Sequence, residues 1–214
     1  MKNKVYFIVV IVMMIWGLNV SALKLIVNSF EPVTITSFRI FVAGLTVFSI
    51  LYFSKNVRLP KNKEWMYIAS GAVFSVVLHH YFLTTGLTLT SATNTGLILG
   101  MGPVLTVILA TILLKNRPSR LQFLGFISGF IGICFTVIAG GGGVDSINLG
   151  DLYILLSILS QALSFIIIKK AAEMMDSRLF TGYMLIFGSV GLLLIGRWTE
   201  PDGIASLANS DYKI

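Results

Sequence analysis

Charge is scarce in this chain. Its 16 Lys and Arg and 9 Asp and Glu make up 12% of 214 residues, about half the share of a soluble domain. So few ionic groups cannot coat a water-facing surface, which excludes an ordinary soluble globule. Cysteine occurs once, as Cys134 inside an apolar run, so there is no intramolecular disulfide and no cysteine metal cluster. Histidine occurs twice, as the neighbours His79 and His80. No H-E-x-x-H or G-x-S-x-G is present, so the metalloprotease and α/β-hydrolase arrangements are unsupported. Acids are missing from the interiors of the apolar runs: all nine, Glu31, Glu64, Asp145, Asp151, Glu173, Asp176, Glu200, Asp202 and Asp211, fall in loops or at helix ends.

What the chain has in abundance is apolar length. It is 56% hydrophobic, with a mean hydropathy of +0.88. A helix of about 20 apolar residues crosses the ~30 Å hydrocarbon core of a bilayer. Seven runs fit, at roughly 5–27, 33–53, 65–87, 94–114, 119–139, 150–168 and 179–196. The connections carry helix breakers: Glu31-Pro32, Pro60, Pro118 and Gly140 through Gly143. The first run could also be read as a cleavable signal peptide ending near Val20-Ser21-Ala22. The apolar stretch continues past that point, and Trp16-Gly17-Leu18-Asn19 is a bulky approach to a cleavage site.

The net charge of +7 reads as a topology signal rather than as a nucleic-acid surface. Lys2 and Lys4, then Lys55, Arg58, Lys61 and Lys63, then Lys115, Arg117 and Arg120, then Lys169, Lys170 and Arg178 all fall on one side if the seven helices alternate. These are 12 of the 16 cations. Cytoplasmic loops carry such an excess, so the N-terminus is expected in the cytoplasm, the C-terminus outside, and the protein in the plasma membrane. Trp65, Tyr67 and Trp198 suit the aromatic belts at the two interfaces.

The spacing Lys24, Pro32, Thr36 at the turn between the first and second helices recurs as Lys169, Ser177, Thr181 between the sixth and seventh. Five helices separate the copies. An odd offset inverts the second copy in the membrane, a mark of secondary transporters. Trp16-Gly17-Leu18-Asn19, Lys24, Pro32 and Arg39, then Gly86-Leu87, Thr90-Ser91-Ala92 and Pro103, then Leu121-Gln122-Phe123-Leu124-Gly125 with Gly132, and finally Gly150-Asp151-Leu152 together resemble the drug/metabolite transporter superfamily, EamA type. The resemblance covers nearly the whole chain. It implies an all-α transmembrane bundle of inverted five-helix repeats, ten helices in all, of which about seven are present here. The first repeat would occupy 1–139, a Gly-rich linker 140–149, and the start of an incomplete second repeat 150–214. In this reading the chain looks like a truncated member lacking three helices. The family usually has Glu in the fourth-to-fifth loop, where Asn116 stands here.

Several residues could line a solute path. Arg39 lies about two turns inside the second helix, where a charge must find polar company; Lys24 lies near the outer end of the first. Both would attract an anionic or zwitterionic group, although Lys24 could snorkel to headgroups and Arg39 could bind helix-end carbonyls. His79 and His80 point about 100° apart on a helix, so one of them at most faces a cavity squarely. His79 shares a small, polar stripe with Gly71, Ser75 and Gly86 and is the better candidate. Arg39 and His79 are expected to open on one cavity in the outer half. Gly100 and Pro103 interrupt the fourth helix, where Pro103 frees a carbonyl that a hinge or solute contact could use. Trp16, Asn19 and Gln161 are mid-helix polar groups, and Asn94 sits at the mouth of the fourth helix. Gly125, Gly129 and Gly132 read as a packing face.

The expected function is transport of small polar metabolites, amino acids or related compounds, by alternating access. The partners are a small-molecule substrate and the bilayer, without nucleic acid or cofactor. Buried carboxylates commonly serve proton coupling, and none is expected inside a helix here, which favours a facilitator or exchanger. The alternatives are an intramembrane enzyme using a helix-three histidine and a non-transporting scaffold.

Overall fold

The computed structural model describes residues 6–12, 14, 15, 18, 22, 26, 29–115, 118–139 and 148–209. Among these residues the regular structure is entirely helical. The elements after residue 31 are α1 (Pro32–Phe53), α2 (Asn62–Gly71), a π-helical segment (Ala72–Leu78), α3 (His79–Leu89), α4 (Ala92–Gly100), α5 (Gly102–Leu114), α6 (Arg120–Ala139), α7 (Leu149–Ala172), α8 (Ser177–Thr199) and α9 (Gly203–Asn209). Five stretches are long and apolar enough to cross a membrane: Pro32–Phe53, Asn62–Leu89, Thr93–Leu114, Leu149–Ala172 and Ser177–Thr199. Each overlaps an apolar run of the sequence, and α6 coincides with another. The described residues 6–12, in the first run, are helical as well.

The helix ends follow local chemistry. Pro32 occupies the first turn of α1, where its missing N–H costs nothing. Ser91 caps α4 by accepting from the Asn94 amide, Asn148 caps α7 through Asp151, and Asp176 caps α8 through Arg178 and Leu179. These are short side chains that reach their own backbone. The expected break in the fourth helix falls at Met101, between α4 and α5. There the Met101 N–H bonds Ile98 O at 2.9 Å, a tightened turn, and α5 restarts with Pro103 in its first turn. Beyond α8 the tail is more structured than its polar composition suggests. Gly203 starts the short α9 against Thr34 of α1, so closely that a Cβ there would collide with the threonine side chain.

Two antiparallel pairs hold the bundle together. In α1 and α8, Gly44 faces Leu185 and Ile186, Gly182 faces Val47 and Phe48, and Gly196 faces Val33 and Thr34. The small residues let the backbones approach, which is how membrane helices gain dispersion contacts. In α3 and α7, Gly86 meets Ile154 and the Gly150 carbonyl, while Gly150 meets the Leu89–Thr90 backbone at 2.8 Å from an added Cβ. The π segment packs on α8, with Val76 seated against Gly188. The principal core, including Ile40, Leu51, Ile68, Val76, Phe180 and Leu192, lies between α1, the α2–π stretch and α8. Leu83 and Ile154 form a smaller one between α3 and α7.

The cations of three loops gather at one end. Arg58 makes a two-pronged bond to Glu64, 2.7 Å in each arm. Its carbonyl accepts from Tyr183 Oη of α8 at 3.1 Å. The carboxylate hydrogen-bonded to it raises the Arg58 pKa, which keeps the guanidinium charged. The 172–177 turn and the start of α2 lie together, with Met174 beside Lys61 and Lys63 around an open cleft of about 610 Å³. Trp65 packs edge-on against Tyr183 and Phe187, whereas Trp198 at the opposite end is 91% exposed.

Candidate functional site

Polar side chains are buried in two layers between helices, one at mid-bundle and one at the end opposite the cation-rich loops. The mid-bundle layer begins where the π segment hands over to α3. A π turn holds an extra residue relative to an α turn and often marks a functional position. Here it delivers His79 onto α7. His79 Nδ1 lies 2.8 Å from Ser157 Oγ and 3.2 Å from Ser157 O. Ser157 Oγ donates to His79 O at 2.9 Å. Gln161 Nε2 lies 3.3 Å from His79 Nε2. The tautomer with its proton on Nδ1 satisfies all of these contacts, the Gln161 amide donating to the Nε2 lone pair. His79 is 6% exposed and Ser157 fully buried, so this layer locks α3 to α7.

His80 points elsewhere. Its ring stands 4.8 Å from that of His79, tilted by 59°. Its Nδ1 is buried and has no hydrogen-bond partner among the described residues. It feels the charge of Arg39, which sits partly buried on α1, packed beside α3. Thr36, one turn before Arg39 and 1% exposed, has a second orphaned polar atom, Oγ1.

The second layer joins three helix ends. Thr90, after α3, donates to Asp151 Oδ1. Asn94 of α4 donates its amide to Asp151 Oδ2 at 3.1 Å, and the Asn148 N–H donates to the same oxygen at 3.0 Å. Asn148 Nδ2 donates to Thr90 Oγ1 at 3.3 Å. Asp151 is only 7% exposed. Its acceptors are thus consumed by three donors from separate segments, the condition under which a buried carboxylate is tolerated. Nearby at the same end, Glu200 at the end of α8 takes the Val33 and Thr34 N–H groups at 2.8 Å each. It caps the first turn of α1 across the bundle, where a negative charge suits the helix dipole.

The structure therefore sets His79 beside Gln161 between α3 and α7, and leaves His80 on another face of α3, the helix packed beside the one that carries Arg39. It places Asn94 in the other layer. Gly100 and Pro103 stand apart at the α4–α5 break, and Pro103 is exposed. Trp16, Asn19 and Lys24 lie outside the described residues, as do the Gly140–Gly143 linker and Asn116. The supposed stripe of Gly71, His79 and Gly86 is shared between two neighbours: Gly71 meets Phe180 of α8, whereas His79 and Gly86 meet α7. The intervening π segment shifts the register by which a regular helix would have aligned them. Asp151, Ser157 and Thr36 were absent from the sequence-based candidates. The signal for Asp151 was a carboxylate three residues after Asn148 at a helix start, which marks a cap and hides its second role between helices.

These features define a multi-pass α-helical membrane protein in which antiparallel helices close around buried polar layers. Residues 3–138 match the EamA-like transporter family, and the chain belongs to that family. It is 29% identical over 199 residues to the uncharacterized transporter YyaM of Bacillus subtilis, covering 90% of this chain and 64% of the relative. It is 27% identical to the uncharacterized transporter YvbV of the same organism, covering 93% and 65%. A chloroplastic WAT1-related protein of Arabidopsis thaliana is 25% identical, with 84% and 44% covered. The chain thus spans less than two thirds of the length of each of these relatives. No solved structure matches it significantly.

Proposed function

We propose that this chain belongs to a carrier that moves small polar metabolites, amino acids or related compounds, across the plasma membrane by alternating access. The supporting observation is the antiparallel α1–α8 pair. Under the spacing that relates Pro32 to Ser177, Ser37 and Gly44 of α1 correspond to Gly182 and Ser189 of α8, and all four are buried. The contacts Thr34 to Gly196, Gly44 to Ile186 and Phe48 to Gly182 align the two helices antiparallel, middle beside middle. This is the arrangement expected of equivalent helices flanking a two-fold axis in the membrane plane, around which inverted repeats rock. The first repeat would run over 1–139 and the second from 150. Uptake into proteoliposomes tests the reading, using the protein expressed from its full reading frame and radiolabelled amino acids. Saturable uptake of at least one is expected; leak-level uptake of all would remove the substrate class.

The cation-rich end is placed in the cytoplasm, together with the N-terminus. In a Cys134→Ala background, a cysteine at Asn56 should resist an impermeant maleimide in intact cells, and one at Asp202 should react. The opposite pattern would invert the topology.

A further inference from the structure

Two buried polar atoms, one on α1 and one on α3, have no hydrogen-bond partner among the described residues. Most buried hydrogen-bonding atoms in a native fold are paired, and an orphan asks for a missing partner. Thr36 Oγ1 and His80 Nδ1 are two such atoms, on facing helices. Between them in chain position, Arg39 follows Thr36 by three residues, which sets both on one side of α1. Its charge reaches His80. His79 cannot serve in place of His80, because Ser157 and Gln161 already occupy both of its ring nitrogens. The π segment thus divides the labour: His79 fastens α3 to α7, and His80 is turned about 100° away, toward the helix that carries Arg39.

We propose that Arg39, Thr36 and His80 form a subsite for the carboxylate of a transported solute. The guanidinium supplies charge and a planar pair of donors, the geometry suited to a carboxylate. The threonine hydroxyl and the imidazole supply one further donor each, with the His80 tautomer set by the ligand. The subsite lies about two turns from the Glu200 end of α1. The inference rests on the transport reading above, and narrows the solute to an acid or a zwitterion.

The test is ligand-dependent thermal stability of the purified full-length protein in detergent. The probes are acetate, succinate and L-alanine, each against its amide (acetamide, succinamide and L-alaninamide), with inorganic phosphate as a second oxyanion. A carboxylate that binds only the folded state should raise the melting temperature by about 4–6 °C near a hundredfold excess over Kd, and its amide should not. Arg39→Gln should weaken the apparent affinity about tenfold or more, and His80→Gln and Thr36→Val less. Should Arg39→Gln fail to fold, the other two, which change little in volume, carry the test. The subsite is overturned if no carboxylate stabilises the protein, if each amide or phosphate does so equally well, or if the shift survives in all folded variants. Carboxylate-specific stabilisation without uptake of any solute would leave the subsite standing and sink the transport reading. Uptake of neutral solutes alone, with no carboxylate shift, would do the reverse.

Discussion

The α1–α8 and α3–α7 pairs and the α4–α5–α6 stretch are all built from apolar helices, yet they sit in the fold quite differently. The paired helices bury small and polar residues, and glycines there touch a neighbour almost wherever they occur. The Thr93–Leu114 stretch is the most hydropathic of the five spans and is the only one with no buried residue in its most apolar window. At Gly102, Gly125, Gly129 and Gly132 an added Cβ meets nothing within 4 Å among the described residues. Among the described residues, the glycines of α6 expected to be a packing face have no close neighbour at their Cβ positions. Hydropathy measures transfer from water into lipid, and lipid is as apolar as leucine. It says that a helix enters the membrane and is silent on what it touches there. Packing is decided by small residues and shared polar contacts.

That contrast is open to experiment. The largest effect is expected at Gly188, where a side chain would collide with Val76. Gly188→Leu should destabilise the detergent-solubilised protein by about 3 kcal/mol or abolish folding, as overpacking does. It would be read as lost monodispersity on size exclusion. A well-behaved Gly188→Leu protein would mean that the π segment is not held against α8. Next is Asp151→Ala, which strands donors from Thr90, Asn94 and Asn148 at about 1–3 kcal/mol in total. Thr90→Val should cost less, because Asp151 keeps two donors. Equal effects would contradict a network centred on the carboxylate. Glu200→Gln removes a charge from the first turn of α1 while retaining one acceptor, at about 0.5–1 kcal/mol. Hydrogen exchange should then rise at Val33 and Thr34 before it rises elsewhere. The smallest effect belongs to the control region. Gly129→Ala in α6 should be neutral or raise stability by up to about 1 kcal/mol, since alanine relieves the entropy cost of a helical glycine. A loss of stability there would show that α6 has a tight neighbour after all.

Much of the architecture was legible beforehand. The boundaries of α1, α7 and α8 fall within a few residues of the apolar runs because the bilayer sets their length, and the α4–α5 break stands where Gly100 and Pro103 announced it. The candidate site was legible only in part. His79 and Gln161 were singled out as polar groups in apolar surroundings, and they proved to be each other's neighbours. Their connecting residue, Ser157, was invisible, because a serine in a membrane helix can satisfy itself on its own backbone, as Ser164 does on Gln161 O at 2.7 Å. Glu64 and Glu200 looked like loop acids. In the fold Glu64 is 3% exposed and clamped by Arg58, and Glu200 caps a helix 167 residues away in sequence. Long-range partners leave no local periodicity to read.

The sequence by itself determined that the chain enters a membrane, how many residues each crossing takes and which loops share a side. Each of these depends on a one-dimensional quantity: summed transfer free energy along a window, or charge within a loop. Tertiary structure alone decided which crossings touch, and that His79 turns to α7 while its neighbour His80 turns toward Arg39. The reason lies in the π segment. One residue of extra register rotates everything beyond it by about 100°, and whether a helix takes that register depends on a contact such as Val76 against Gly188, more than a hundred residues away.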